Sequence, residues 1–157
     1  MQSRMKQYPL TDDQIADVLR KESVGRVATN GADGFPYITP VHYVLLGGNV
    51  YFHGLAAGEK IKNIRANPYV CFEVDTMISL VHDETPCDTN TEYKSVVIRG
   101  TAGIVSDTTE KIDVLNAVVA KFAPQHGGKA FPETMLKMTA VVRIVAKNCT
   151  GKYYPGA

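Results

Sequence analysis

The sequence predicts a small α+β protein that is mainly β, a barrel-like sheet of six antiparallel strands with flanking helices. Three observations carry that prediction. Short β-branched and aromatic runs recur along the chain between Gly-containing turns. The first three runs fall within about 30 residues, too close together for the crossover helices that parallel strands need. Sustained helical periodicity is confined to residues 11–22 and 108–123, with a shorter basic segment at 59–66.

The elements follow in order. In the first helix, Thr11 is a candidate N-cap, Asp12 and Asp13 stand in the first turn, and Arg20 and Lys21 in the last, which suits the helix dipole. Ile15, Val18 and Leu19 form an apolar stripe, so this helix plugs or flanks the sheet. Strands are predicted at 24–29 and 35–46, joined by the turn N-G-A-D-G. Pro36 and Pro40 lie in the second strand. Proline has no N–H to give a ladder, so that strand needs an edge, a bulge or a ligand along part of its backbone. G-G-N at 47–49 turns the chain into a third strand over 50–53, completing an antiparallel meander. After the short helix, Asn67-Pro68 stops the pattern and a fourth strand runs over 69–75, with 77–81 a possible continuation. Residues 82–92 are polar and turn-rich, which predicts a surface loop. A long strand spans 93–105, with Gly100 and Gly103 marking a bend or bulge. Ile112, Leu115, Val119 and Phe122 give the helix at 108–123 its apolar face; 132–137 reads as a further helical turn and 140–146 as the last strand.

The chain's 157 residues suffice for one domain over 1–157, and no linker or repeat divides it. A net charge of +1 gives no electrostatic case for nucleic acid or a membrane surface. Its apolar runs are far shorter than the roughly 20 residues of a membrane helix. The start lacks the apolar core of a secretory signal, so a cytoplasmic protein is expected. Cys71, Cys87 and Cys149 are scattered, which argues against a disulfide framework or structural zinc. His42 and His53 meet if their strands pair, but no third metal ligand is spaced to join them. P-loop, G-x-G-x-x-G and G-x-S-x-G patterns are all absent.

The stretch V-Y-F-H-G-L-A-A-G-E-K-I-K-N-I-R-A-N, 50–67, holds the densest chemistry. A strand ends at Gly54 and a basic helix restarts at Gly58, with His53 and Lys60 close by. Unpaired N–H groups at a helix start favour an anion, phosphate especially. An ordinary strand–loop–helix connection explains the same pattern without a ligand.

Y-F-H-G-L-A-A-G-E-K-I-K-N-I-R-A-N-P, followed by Y-K-S-V-V-I-R-G, resembles the pyridoxamine 5′-phosphate oxidase-like flavoproteins, and most of all their nitroimidazole-resistance (NimA-type) branch. P-Y-I-T-P-V-H-Y and R-I-V-A-K-N-C-T-G-K fit the same branch, and the resemblance runs from about Leu10 to Lys152. It implies a split β-barrel homodimer that binds FMN at the subunit interface. By position, the backbone of Thr39, Pro40, Val41, His42 and Tyr43 would border the flavin ring. Phe52, His53 and Gly54 stand where oxidase relatives have F-Y-T, and Gly58, Glu59 and Lys60 where they have the phosphate-gripping S-R-K. Lys60 thus keeps a charged phosphate ligand, whereas Glu59 replaces an arginine. Ser95 takes the place of a flavin-contacting glutamine, and His53 is the expected catalytic residue beside the ring. The chain has no tryptophan and so lacks the Arg- and Trp-containing substrate motif of true pyridoxamine-phosphate oxidases. The resemblance therefore implies an FMN-dependent reductase of small electron-poor substrates such as nitroaromatics. The competing readings are a non-catalytic flavin or haem binding protein and a stress-related dimer with a vestigial pocket.

Overall fold

A computed structural model describes residues 6–156. Strands β1 (Val24–Asn30), β2 (Pro36–Leu46), β3 (Asn49–Leu55), β4 (Tyr69–Val81), β5 (Asn90–Ile104) and β6 (Thr139–Tyr154) close into one antiparallel barrel in the order β1-β2-β3-β6-β5-β4. The predicted six-stranded antiparallel barrel is therefore what the chain forms. The helices are α1 (Asp12–Lys21), α2 (Glu59–Ala66), α3 (Thr108–Phe122) and α4 (Glu133–Met138).

Alternation along the strands decides what fills the barrel. Val27, Val41, Tyr43, Phe52, Phe72, Val74, Val96, Ile98, Val142 and Ile144 belong to one buried cluster. Ile15, Val18 and Leu19 of α1 join that cluster beside Val50 and Ile98, and so plug one end of the barrel. Thr11 caps α1 through a capping box: its hydroxyl accepts from Gln14 N–H while Gln14 Oε1 accepts from Thr11 N–H at 2.9 Å. Ile61 and Ile64 of α2 close the other end. There the buried Asn63 donates to Thr29 Oγ1 at 3.1 Å, and that hydroxyl donates to Tyr37 O.

Helix α3 lies outside the barrel, where Val114 and Leu115 pack on Val44, Tyr51 and Val141. Glu110 accepts from Tyr51 Oη at 2.9 Å and from Arg143 at 3.0 Å, fastening α3 across β3 and β6. Lys111 donates to the carbonyls of Leu136 and Thr139, which anchors α4.

Two boundaries differ from expectation. The last strand runs on to Tyr154 instead of stopping at Ala146, and β5 begins at Asn90 instead of 93, paired with the continuation of β4 over 77–81. The extra ladder carries mixed polar residues with weak alternation, because much of it lies half-exposed outside the core, and so it does not read as strand. The prolines of β2 do mark an edge. β2 pairs with β3 only from Leu46↔Asn49 to Tyr43↔Phe52, so Pro36–His42 is laddered to β1 alone.

One close approach makes a stability prediction. A Cβ on Gly25 would lie 2.2 Å from Phe72 Cζ, so β1 passes the ring only because that side chain is absent. Gly25→Ala should cost about 1–3 kcal/mol in urea unfolding. In the double variant with Phe72→Leu the two losses should fall short of additive, since the smaller side chain frees the space.

Candidate functional site

The site grows from the point where β2 and β3 part. Past Tyr43↔Phe52 the strands diverge: β3 stays with β6 (His53↔Val141, Gly54↔Ala140), while β2 stays with β1 (His42↔Val24, Pro40↔Arg26). His42 and His53 are the first residues beyond this fork, and both are exposed. Val41, Tyr43 and Phe52 bury their side chains in the core, so only their backbone is open to a ligand. A row of backbone groups on 38–42 has no β3 partner to bond.

Helix α2 starts beside the fork. Its N-cap Gly58 has φ 128°, a conformation that favours glycine, and no side chain caps the helix. The N–H groups of its first turn are therefore open to solvent or an anion. Lys60 folds back from that turn: a Cβ built on Gly54 would lie 3.7 Å from its Nζ, and the ammonium sits 5.6 Å from the centroid of the Phe52 ring. Among the described residues Lys60 has no ion pair, although burial pulls its pKa down. Glu59, exposed on the first turn, is likewise unpaired among the described residues.

The electrostatics of the fork point one way. The His53 pKa is lowered from its ordinary value, first by desolvation, then by His42 and Lys60. Three basic groups thus converge where the helix dipole is positive, an arrangement that favours a bound anion. Among the described residues, Thr39 Oγ1 and Tyr43 Oη are the buried side-chain polar atoms without a hydrogen-bond partner, and both lie on β2. Each such orphan costs about 1–3 kcal/mol, so the strand is incompletely satisfied as it stands. Tyr43 Oη is enclosed, its pKa driven up by burial and then Glu22, whereas Thr39 lies on the half-laddered stretch of β2. Unpaired backbone, the Lys60 ammonium and the uncapped α2 fit a ring with a phosphate tail.

The predicted residues do not all meet. Thr39, Pro40, Val41, His42, Tyr43, Phe52, His53, Gly54, Gly58, Glu59 and Lys60 gather around the fork. Ser95 does not. It pairs with Asp75 and Lys152, whereas the residue of this stretch beside His53's partner is Val105, just past the end of β5, whose N–H donates to Val141 O at 2.9 Å. Ten residues, roughly 30 Å of extended chain, separate the two points. Within one chain, then, Ser95 forms no wall of this site.

Two residues that the sequence reading did not single out as functional support the fork. Phe122 stacks on His42, ring centroids 4.8 Å apart and planes at 22°. Lys121 donates to Glu22 O at 2.6 Å and Tyr43 O at 3.3 Å, tying the end of α3 to β2. Phe122 was visible as part of an apolar helical face, but its histidine partner depends on how α3 lies on the sheet. Cys71 is half-buried with its thiol pKa raised by burial, and Cys87 is exposed.

The sequence profile of the pyridoxamine 5′-phosphate oxidase family matches residues 11–153. A 5a,11a-dehydrotetracycline/5a,11a-dehydrooxytetracycline reductase of Streptomyces rimosus is 34% identical over 98 residues. That alignment covers 60% of this chain and spans 63% of the reductase's length. A Bacteroides thetaiotaomicron protein described as a candidate for 5-nitroimidazole antibiotic resistance superposes with TM-score 0.81 at 19% identity, covering 92% of this chain and 86% of that one. The FAD and haem binding protein of Mycobacterium smegmatis superposes with TM-score 0.82 at 20% identity, covering 92% and 73%. At those identities the two structures attest a shared fold.

The charge excess at the fork generates a titration prediction. In the ligand-free protein the His53 imidazole should titrate below its ordinary 6.5 by proton NMR. The folded form then binds fewer protons than the unfolded one, so this group's contribution to stability falls as pH drops through about 6.5. Inorganic phosphate should raise the His53 pKa and, by linkage, bind more tightly at lower pH; an unmoved His53 resonance would place the anion elsewhere. On this geometry and this profile match, the chain belongs to the pyridoxamine 5′-phosphate oxidase family.

Proposed function

We propose that this protein is a flavin-dependent oxidoreductase, a reductase of small electron-poor substrates, that holds FMN at the β2–β3 fork. The observation that carries the proposal is the unpaired Lys60 ammonium over Phe52 at the uncapped start of α2, at the fork where β2 loses its β3 partner. The family supports it, and so does the reductase activity named for the Streptomyces relative.

The flavin, when bound, supplies the reducing electrons. The chain's own part is to hold, orient and protonate. Lys60 Nζ and the N–H groups after Gly58 hold the phosphate. On 38–42, the backbone groups of alternate residues, those that point away from β1, are free to bond the ring's polar edge. Phe122 fixes His42 by stacking. His53 is neutral near pH 7 while the cluster lacks an anion. With a phosphate held there, the local positive excess would be offset, the His53 pKa would rise, and a His53 ring N–H would give its proton to the reduced substrate.

A second copy of the chain completes the site in this reading. Ile38 (60% exposed), Met77 (57%) and Ile78 (48%) offer apolar surface outside the core. Ser95 reaches a fork only from a partner subunit. Light scattering should give a dimer, and a monomer that still retains flavin would remove the partner from the site.

A carrier reading stands beside this one, favoured by the shared fold with a protein named for binding both FAD and haem. Purified protein loaded in turn with FMN, FAD and haem separates the readings. FMN should be retained, and the reduced, FMN-loaded protein should be reoxidised without air by a nitroimidazole or a dehydrotetracycline; retention without reoxidation would make it a carrier. Lys60→Ala should weaken FMN retention about tenfold or more, the scale of one charged hydrogen bond. Glu59→Arg should strengthen retention by removing a carboxylate from the phosphate's end of α2. His53→Ala should spare retention and slow turnover about 10²–10⁴-fold.

A further inference from the structure

We propose a second ligand site, remote from the fork, in which Arg99 and Lys147 bind the phosphate of a mononucleotide-sized ligand whose ring rests on Tyr69. The site is a cleft of about 380 Å³ on the barrel wall, with Ala28, Asn30, Tyr69, Cys71, Arg99 and Lys147 among its lining residues. Small-molecule sites begin at about that size.

Lys147 is there because β6 is bulged. Arg99 pairs with Asn148 and Gly100 with Ala146, so Lys147 is the extra residue between them. A bulge re-aims a side chain, and here it brings a lysine into the same cleft as Arg99. The bulge needs Gly100: a Cβ at that position would lie 2.2 Å from Val145 O. Without this local geometry the regular ladder would carry Lys147 through its alternation instead of leaving it unpaired.

No counter-charge is at hand. The acids on this wall, Glu73 and Asp75 of β4, are engaged by Arg26 Nη1 at 3.0 and 2.5 Å. Neither Arg99 nor Lys147 has an ion pair among the described residues, and none of the cleft's lining residues is acidic. Both cations line one cleft with no acid to neutralise them, so an anion bound there gains charge-assisted hydrogen bonds. Tyr69 supplies the second half of the recognition. Tyr69 is 59% exposed, and Lys147 Nζ sits over its ring, 4.9 Å from the centroid, so the aromatic side chain already positions the cation that would hold the phosphate. Asn30 holds this wall in place by donating from Nδ2 to Tyr69 O at 2.8 Å.

Cleft and fork lie at different ends of α2. Lys60 stands in its first turn and Tyr69 comes three residues after its last, Ala66, the eight-residue helix itself being about 12 Å long. The two sites can therefore be tested separately in the intact, flavin-loaded protein. Titration calorimetry with AMP, ribose 5-phosphate, adenosine and inorganic phosphate should rank AMP tightest. Arg99→Gln and Lys147→Gln should each weaken AMP about tenfold, the scale of one charged hydrogen bond. Both positions are exposed, and thermal unfolding should show that both variants fold. Tyr69→Leu should bring AMP down to the affinity of ribose 5-phosphate. Flavin retention should be unchanged in all three variants. The proposal is overturned if AMP does not bind, if its binding ignores Arg99 and Lys147, or if Lys60→Ala abolishes it. Loss of flavin from Arg99→Gln or Lys147→Gln would also overturn it, because these cations would then belong to the flavin cradle.

Discussion

Most of what this protein can do follows from one interrupted ladder. β2 and β3 leave the Gly47–Gly48 turn paired, reach Tyr43↔Phe52, and separate. Had they stayed paired, the backbone of 38–42 would be satisfied and His42 and His53 would be ordinary cross-strand neighbours. Because they part, an open strand edge faces the start of a helix that carries an unpaired lysine. Pro36 and Pro40 suit that edge, since they have no N–H to lose from a β2–β3 ladder. The barrel core makes the parting tolerable: Phe52, Tyr43 and Phe72 are fully buried, with α1 and α2 closing the ends.

Charge is distributed to match. Arg26 takes both nearby acids of β4, and Arg143 shares Glu110 with Tyr51. These pairs are partly exposed and individually weak, so their contribution to stability is small. They also take up the acids near the Arg99–Lys147 cleft, whose lining holds no carboxylate, while among the residues gathered at the fork Glu59 is the one acid beside Lys60, His42 and His53. Two electropositive sites remain on a chain whose net charge is only +1. Electropositive character is thus a matter of local arrangement here, not of overall charge.

The sequence made the fold legible where physics is local. Thr11's cap, the Gly47–Gly48 turn and the alternation of 41, 43 and 50, 52 read directly as helix start, hairpin and core face. The fork residues were legible as well, because a strand end, Gly58 and Lys60 fall in one short stretch. What depends on tertiary register was not. The bulge at Lys147 needs the pairing of β5 with β6. The stacking of Phe122 on His42 needs the placement of α3. Ser95 shows the reverse case: its place in a motif pointed to the flavin, while its register in this barrel puts it elsewhere within one chain.

Amide hydrogen exchange with and without FMN tests the central claim most directly, because it reads the open edge of β2 and the start of α2 at once. The fork predicts that FMN slows exchange at 38–42, where Pro40 has no amide, and at 59–61, with little change along α1. Protection confined to other parts of the chain, or exchange at the fork that FMN leaves unaltered, would contradict it.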